Sequence, residues 1–315
     1  MNDTPTVLMG GRMLPALEAA LAERYDLTRL ADQPDPAAFL AEHGGRFTAY
    51  VAGAAHGLPA ATLAALPNLR VVSQFGVGLD KLDLPALRAR GVAVGFTPDV
   101  LNDCVADLAF TLLLDSLRGV AAADRFVRRG DWLRGPYPLT RRATGLRLGV
   151  VGMGRIGREI AERSRGFRMD VRYHTRRPVA GLPWAHEPSL HALARWCDAL
   201  VLITSGGAST HHLVDASVLQ ALGPQGFLIN VARGSVVDQA ALVQALQQGT
   251  IAGAGLDVYE DEPRVPEALR ALDNVVLAPH MASGTRETRQ AMADLVMENL
   301  AAFFAHGAVR HSALG

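Results

Sequence analysis

Residues 146–151 are apolar apart from Arg147 and Gly149, and the chain then runs Gly152-Met153-Gly154-Arg155-Ile156-Gly157 into residues with helical periodicity. A buried strand, a glycine turn and a helix start in that order demand a close strand-to-helix connection. Each glycine has its own steric task. The first makes the tight turn, the second lets the backbone approach a bound pyrophosphate, and the third lets helix pack against strand. The open N–H groups and positive dipole end of the helix would face the phosphates. The stretch predicts the first βα unit of a doubly wound parallel sheet that binds a dinucleotide. Gly152, Gly154, Arg155, Ile156 and Gly157 are then expected at the cofactor.

The rest of the chain alternates strand and helix patterns around this unit. Before it, β-rich runs at residues 7–9, 48–51, 70–73 and 92–94 alternate with helical segments at 14–24, 59–66 and 84–90, the pattern of a small parallel α/β domain. The third run leads directly into Gln74-Phe75-Gly76-Val77-Gly78-Leu79-Asp80. At the carboxyl end of a parallel strand the N–H groups of Val77 and Gly78 could hold an anion, although a plain βα turn fits these residues equally well. Thr97-Pro98 ends the pattern, and residues 99–118 read as a long apolar helix capped by Asp99 or Asn102, crossing into a second domain.

After a surface stretch at 128–144, the glycine-turn strand opens a second series. Its later strands are expected at 170–174, 199–203, 227–231, 252–258 and 275–278, with helices at 156–166, 189–195, 217–222 and 239–248. A long amphipathic helix at 285–304 leads back to the first domain. The expected division is residues 1–98 with 285–315, and residues 99–284.

Composition narrows the function. A length of 315 residues allows two domains with their own cores, and a formal net charge of zero argues against a nucleic-acid groove. No apolar run is long enough for a membrane span, and residues 1–10 lack the basic region and apolar core of a signal peptide, so a cytoplasmic location is expected. Cys104 and Cys197 have no CxxC spacing and are expected to be reduced and structural. The adjacent pair His211-His212 lacks the i, i+4 spacing of a helical metal pair and reads as surface; no metal site is expected.

Three pieces stand at or just beyond strand ends of the second series: Asn230-Val231-Ala232-Arg233-Gly234-Ser235, Asp257-Val258-Tyr259-Glu260-Asp261-Glu262-Pro263 and Ala278-Pro279-His280. That edge is where the reactive ring of a dinucleotide lies. An arginine offers a planar fork to a carboxylate, a histidine can deliver a proton near neutral pH, and a carboxylate beside the histidine fixes its tautomer. The set suits hydride transfer to a 2-keto acid. Taken singly, each residue also fits a solvated turn.

With these residues assembled, the chain resembles the D-isomer-specific 2-hydroxyacid dehydrogenases, and within them the glyoxylate/hydroxypyruvate reductases and hydroxyphenylpyruvate-reducing relatives. The motifs that carry the resemblance are F-G-V-G-L-D, T-P-D-V-L, G-M-G-R-I-G, N-V-A-R-G-S-V-V-D, G-L-D-V-Y-E-D-E-P and A-P-H-M-A-S. The resemblance implies an α/β fold in which a Rossmann sheet is inserted into a smaller flavodoxin-like substrate domain. It implies that Arg233 binds the substrate carboxylate and polarises the carbonyl, that His280 protonates the carbonyl oxygen, and that Glu262 hydrogen-bonds His280. Backbone N–H groups of Val77 and Gly78 would complete the carboxylate site. Val231, Asp257, His280 and Ala282 would lie at the cofactor, and closure of the domains would exclude water. Leu79, Trp132 and Tyr137 are candidates to line the substrate pocket.

A homodimer is also implied, with the helix at 101–117 as one buried element of its interface; a core helix of the cofactor domain is the plainer reading. The chain departs from common family patterns at Ala282 and Arg168, where glycine is frequent. The alternatives in function are a dinucleotide-sensing, corepressor-like binding protein, and another oxidoreductase of this fold such as a phosphite dehydrogenase.

The cofactor is expected to be NADP(H) rather than NAD(H). NAD-preferring sheets place an Asp or Glu about twenty residues beyond the glycines, where it binds the ribose hydroxyls and repels a 2′-phosphate. Here that place holds Thr175, followed by Arg176 and Arg177, and the next carboxylate is Glu187. The two arginines offer charge-assisted bonds to phosphate.

Overall fold

The computed structural model describes residues 4–53 and 56–314, so the first three residues of the N-terminal stretch lie outside the described chain. Two compact units emerge, Met1–Leu101 with Gly284–Gly315, and Asn102–Ser283.

In the first unit, β1 (Thr6–Met9), β2 (Asp26–Arg29), β3 (Ala49–Gly53), β4 (Val71–Phe75) and β5 (Ala93–Gly95) form a parallel sheet in the order β2-β1-β3-β4-β5. This is the flavodoxin-like order. The helices α1 (Pro15–Arg24), α2 (Pro36–His43), α3 (Ala60–Ala64) and α4 (Leu84–Ala89) lie between the strands in sequence. Both β3 and β4 are buried at every position, so neither alternates between an apolar and a polar face, although β4 carries the buried polar Ser73 and Gln74.

The C-terminal helix, Arg286–His306, belongs to the same unit and packs on β4, β5 and α1. Buried polar groups set its register. Ser73 Oγ donates to the Val296 carbonyl at 3.3 Å; Asn299 donates to the Phe96 carbonyl at 3.0 Å and accepts from the His311 N–H at 3.0 Å. Gly95 makes room, since a Cβ there would lie 2.7 Å from Asn299 Cγ.

In the second unit, β6 (Arg147–Val151), β7 (Asp170–His174), β8 (Ala185–His186), β9 (Ala199–Leu202), β10 (Phe227–Asn230), β11 (Gly253–Leu256) and β12 (Val275–Leu277) form a parallel sheet ordered β12-β11-β10-β9-β6-β7-β8. The strand order reverses between β6 and β9. In doubly wound sheets that crevice, beyond the carboxyl ends of the strands, is where ligands bind. Its helices are α5 (Asn102–Arg118), α6 (Val120–Arg128), α7 (Arg155–Ser164), α8 (Leu190–Trp196), α9 (Ala216–Leu222), α10 (Gln239–Gln247) and α11 (Glu267–Arg270).

The helix expected from residue 99 begins at Asn102, because Asp99 has φ +70° and stands outside it. Its apolar side chains Val105, Ala106, Ala109, Phe110, Leu112 and Leu113 are buried, and it packs on β10, β11, β12 and α7. Gly255 of β11 permits the close approach: a Cβ there would meet Leu112 Cβ at 3.0 Å and Ser116 Oγ at 2.9 Å. This packing makes the helix a core element of its unit, the plainer of the two readings.

Exposed apolar surface lies in the next segment instead. No residue of α6 is buried, and Val120, Val127, Trp132, Leu133 and Leu139 all stand exposed. Trp132 and Tyr137 join Ala123, Phe126 and Val127 around a cavity of about 250 Å³. Tyr137 packs edge-on to Phe126 at 5.3 Å and donates to the Gly119 carbonyl at 3.2 Å. Among the described residues no helix is long and apolar enough to cross a membrane.

Candidate active site

The glycine turn after β6 has the three steric features its spacing demands. Gly152 has φ +102°, and a Cβ there would come within 2.8 Å of the Thr204 nitrogen. A Cβ on Gly157 would lie 2.1 Å from the Gly152 carbonyl oxygen. At Gly154 a Cβ would meet nothing within 4 Å, so open space lies in front of α7, whose first turn no side chain caps. Two glycines that admit no side chain and one that faces open space at a helix N-terminus fit a dinucleotide pyrophosphate.

Beside this turn β7 ends at His174, whose carbonyl accepts the Gly152 N–H at 3.0 Å. The following loop is closed on itself. Thr175 Oγ1 donates to the Arg177 carbonyl at 2.6 Å, His186 Nε2 donates to the Thr175 carbonyl at 2.9 Å, and the Tyr173 hydroxyl accepts the Val179 N–H at 2.9 Å. Arg176 and Arg177 project from it, exposed. The strand β8 that carries His186 was not anticipated, because two residues are too short to show a period.

At the carboxyl end of β10, Asn230 is 1% exposed and holds the next turn from both sides. Its Oδ1 accepts the Ala232 N–H at 3.0 Å and its Nδ2 donates to the Arg233 carbonyl at 3.0 Å. Arg233 Nη1 donates to the Ala232 carbonyl at 2.7 Å. Val231 is buried and continues the ladder through its N–H to the Leu202 carbonyl at 3.2 Å.

Past β11, Asp257 is 1% exposed and accepts the N–H groups of Met281 at 2.7 Å and Ala282 at 3.0 Å. Its own carbonyl accepts the His280 N–H at 2.8 Å. Burial pushes the Asp257 carboxyl above the ordinary carboxylate range, against the lowering effect of those two N–H groups and of His280. The turn after β12 is thereby clamped with His280 at φ +50°, a left-handed conformation that costs free energy and needs such support. Cys104 Sγ, from α5, adds a 3.0 Å contact to the Ala282 carbonyl, and Ala282 itself is buried.

Glu262 meets this turn. Its Oε2 lies 2.6 Å from His280 Nδ1, and its Oε1 accepts the Tyr259 N–H at 3.1 Å. A carboxylate on Nδ1 favours the tautomer protonated there, which leaves Nε2 for a second partner. Arg233 stands on the adjacent strand's loop, since β10 and β11 are neighbours. A guanidinium, an imidazole held by a carboxylate, and a glycine cradle therefore share one edge of one sheet, an arrangement suited to hydride and proton transfer.

In the other unit the 74–80 turn is internally braced. Gln74 Nε2 donates to the Gly78 carbonyl at 3.3 Å, and the Thr97 N–H donates to the Gly76 carbonyl at 3.2 Å. Leu79 packs, partly buried, against that unit's core, and Trp132 and Tyr137 line the α6 cavity. Loop side chains of this kind carry no periodic signal of which way they turn. The roles of Asn230 and Tyr259 were missed. Tyr259 donates to the Ala278 carbonyl at 2.9 Å and joins the β11 and β12 loops. The available signal for Asn230 was a polar residue closing the apolar strand Phe-Leu-Ile-Asn.

The model of the D-isomer specific 2-hydroxyacid dehydrogenase NAD-binding domain matches residues 110–282. The chain belongs to the D-isomer-specific 2-hydroxyacid dehydrogenase family, a family of oxidoreductases. It is similar to glyoxylate/hydroxypyruvate reductase A of Arabidopsis thaliana, 44% identical over 298 residues covering 95% of each chain. It is likewise similar to hydroxyphenylpyruvate reductase of Plectranthus scutellarioides, 45% identical over the same share. Among solved structures, the NADPH-dependent glyoxylate/hydroxypyruvate reductase of Sinorhizobium meliloti in complex with NADP and malonate superimposes with a TM-score of 0.93. It is 44% identical, with 98% of this chain and 96% of that chain covered.

Proposed function

We propose that this protein reduces a small 2-keto acid to the D-2-hydroxy acid, with NADPH as the hydride donor. The observation that carries the proposal is the 2.6 Å Glu262–His280 pair on the same sheet edge as the glycine cradle at 152–157. The activities for which its relatives are named make glyoxylate, hydroxypyruvate and arylpyruvates the substrates to try first.

In this reading the Asn102–Ser283 unit is the dinucleotide-binding domain and the other unit the substrate domain. When bound, the reduced nicotinamide supplies the hydride. Arg233 holds the substrate carboxylate and polarises its carbonyl through charge-assisted bonds. The imidazolium of His280 gives its Nε2 proton to the carbonyl oxygen, while Glu262 keeps Nδ1 protonated and the ring oriented. Val77 and Gly78 are assigned as backbone donors to the substrate carboxylate. Asp257 holds the His280 turn, and Val231 and Ala282 shape the wall on the nicotinamide side. Arg155 and Ile156 offer backbone N–H groups to the pyrophosphate, and Thr175, Arg176 and Arg177 take the 2′-phosphate.

A homodimer is part of the proposal, supported by the exposed Val120, Val127, Trp132, Leu133 and Leu139 in one twenty-residue segment. A cytoplasmic location is proposed as well, in keeping with two free cysteines. The test of function is cofactor oxidation at 340 nm with glyoxylate, hydroxypyruvate and phenylpyruvate. Turnover with at least one is expected; none with any 2-keto acid would overturn the proposal.

A further inference from the structure

Glu260 and His212 are drawn together from different strand ends. His212 Nε2 donates to Glu260 Oε1 at 2.7 Å, and both side chains are about one-third exposed, at 38% and 34%. Exposed ion pairs contribute little to folding. The pair is formed, moreover, with His212 held at φ +49°, a left-handed backbone that works against stability in a non-glycine residue. Stability alone is a poor reason for this arrangement, and its connections suggest another.

Three loops meet at this pair. The His212 N–H donates to the Ser235 carbonyl at 2.8 Å, two residues beyond Arg233. The Gln239 N–H approaches Glu260 Oε1 at 3.5 Å, and the Glu260 N–H returns to Gln239 Oε1 at 3.3 Å. Between these bonds the turn carrying Arg233 lies directly on the backbone of the next loop, since a Cβ on Gly234 would fall 1.9 Å from the Tyr259 carbonyl carbon. The Tyr259 N–H in turn holds Glu262. The Ser235 carbonyl thus lies two residues from Arg233, and Glu260 and Tyr259 lie two and three residues from Glu262.

We propose that His212 and Glu260 act as a positioning pair for the reaction, fixing the Arg233 turn against the loop that carries Glu262. Neither residue touches substrate in this account. The inference builds on the proposed 2-keto acid reduction, because it assigns the pair the task of holding the carboxylate-binding arginine in register with the proton donor. Small displacements of such groups cost rate steeply, because reacting groups must be held within a fraction of an ångström.

The test measures kcat and KM for the keto acid in the native protein, Glu260→Ala, His212→Ala, the double variant, Glu260→Gln and His212→Gly. NADPH binding by fluorescence and Tm are measured alongside. Each single alanine variant is expected to raise KM and lower kcat, for a loss of about tenfold in kcat/KM, with NADPH affinity retained. The double variant should lose no more than either single one, because one interaction is broken in all three. Glu260→Gln should recover most of the loss, since its amide oxygen still accepts from His212. His212→Gly keeps falsification possible even if the alanine variants unfold. It suits the left-handed backbone while deleting the imidazole, so Tm should hold or rise while kcat/KM still falls about tenfold. A stable His212→Gly with native kcat/KM would overturn the inference, and so would losses in the double variant equal to the product of the singles. Should the native protein reduce no 2-keto acid, the proposed function fails instead.

Discussion

Arg233 is held at its root, where Asn230 grips the turn and Gly234 seats it on the neighbouring loop, and its Nη1 donates to the Ala232 carbonyl. A guanidinium fork on a fixed root contacts a carboxylate in both the ground and the transition state. Arg233→Ala is expected to raise KM and lower kcat together. Losing a charge-assisted contact worth roughly 1.5–3 kcal/mol amounts to about ten- to hundredfold in kcat/KM. Steady-state kinetics checks this, and a pure kcat effect would place Arg233 elsewhere in the reaction. Arg168 makes a stability case at the same scale. It closes the 3-10 turn Arg165–Phe167 with φ +52° and ψ +36°, the conformation for which glycine is suited. Relief of left-handed strain, offset by glycine's greater chain entropy, should make Arg168→Gly more stable by roughly 0.5–1 kcal/mol. A lower Tm in the variant would contradict that.

The end of β7 decides between cofactors at the scale of one element. A loop with no carboxylate, two exposed arginines and a backbone held by Thr175, His186 and Tyr173 favours a 2′-phosphate. The ratio of kcat/KM for NADPH to that for NADH should be roughly tenfold or more in the native protein. It should fall in Arg176→Ala or Arg177→Ala and fall furthest in Thr175→Asp, which adds repulsion. Ratios unchanged in all three would mean the phosphate is held elsewhere.

At the opposite edge of the same sheet, Asp198 ties the starts of β6 and β9 together. It accepts the Arg147 N–H at 2.8 Å and pairs with Arg147 at 3.1 Å and Arg141 at 2.8 Å. Burial raises its carboxyl, but these partners outweigh burial and hold it below the ordinary 3.8. A depressed folded value means the stabilisation is complete above about 3.8 and is lost as pH falls through the folded value. Tm followed from pH 6 down to 2.5 should therefore drop more steeply in the native protein than in Asp198→Asn. Parallel curves would remove Asp198 from that role.

Over the whole molecule, the residues that were legible in the sequence are those whose constraint is local. Gly152 and Gly157 could be read because spacing alone reports a turn and a close packing, and β3 and β9 because strands buried on both faces are continuous apolar runs. Glu262 and His280 were readable as a pair only through the family resemblance, since eighteen residues separate them and the loops bring them together. Elements lacking local periodicity were missed. β2 is the half-exposed edge strand Asp-Leu-Thr-Arg, and α6 buries none of its residues. The start of α2 was recoverable, because Asp35 caps it by accepting the N–H groups of Ala37 and Ala38 at 3.0 Å, directly before Pro36.

The account turns on His280 as the proton donor of a 2-keto acid reductase, and the most direct test is His280→Ala. NADPH affinity, measured by fluorescence titration, should stay within a few-fold of native, because the glycine cradle and the 175–177 loop are untouched. Turnover of the best 2-keto acid should fall by about 10²–10⁴-fold, the usual contribution of a positioned general acid. A variant that binds NADPH normally and still reduces the keto acid within tenfold of the native rate would contradict the account.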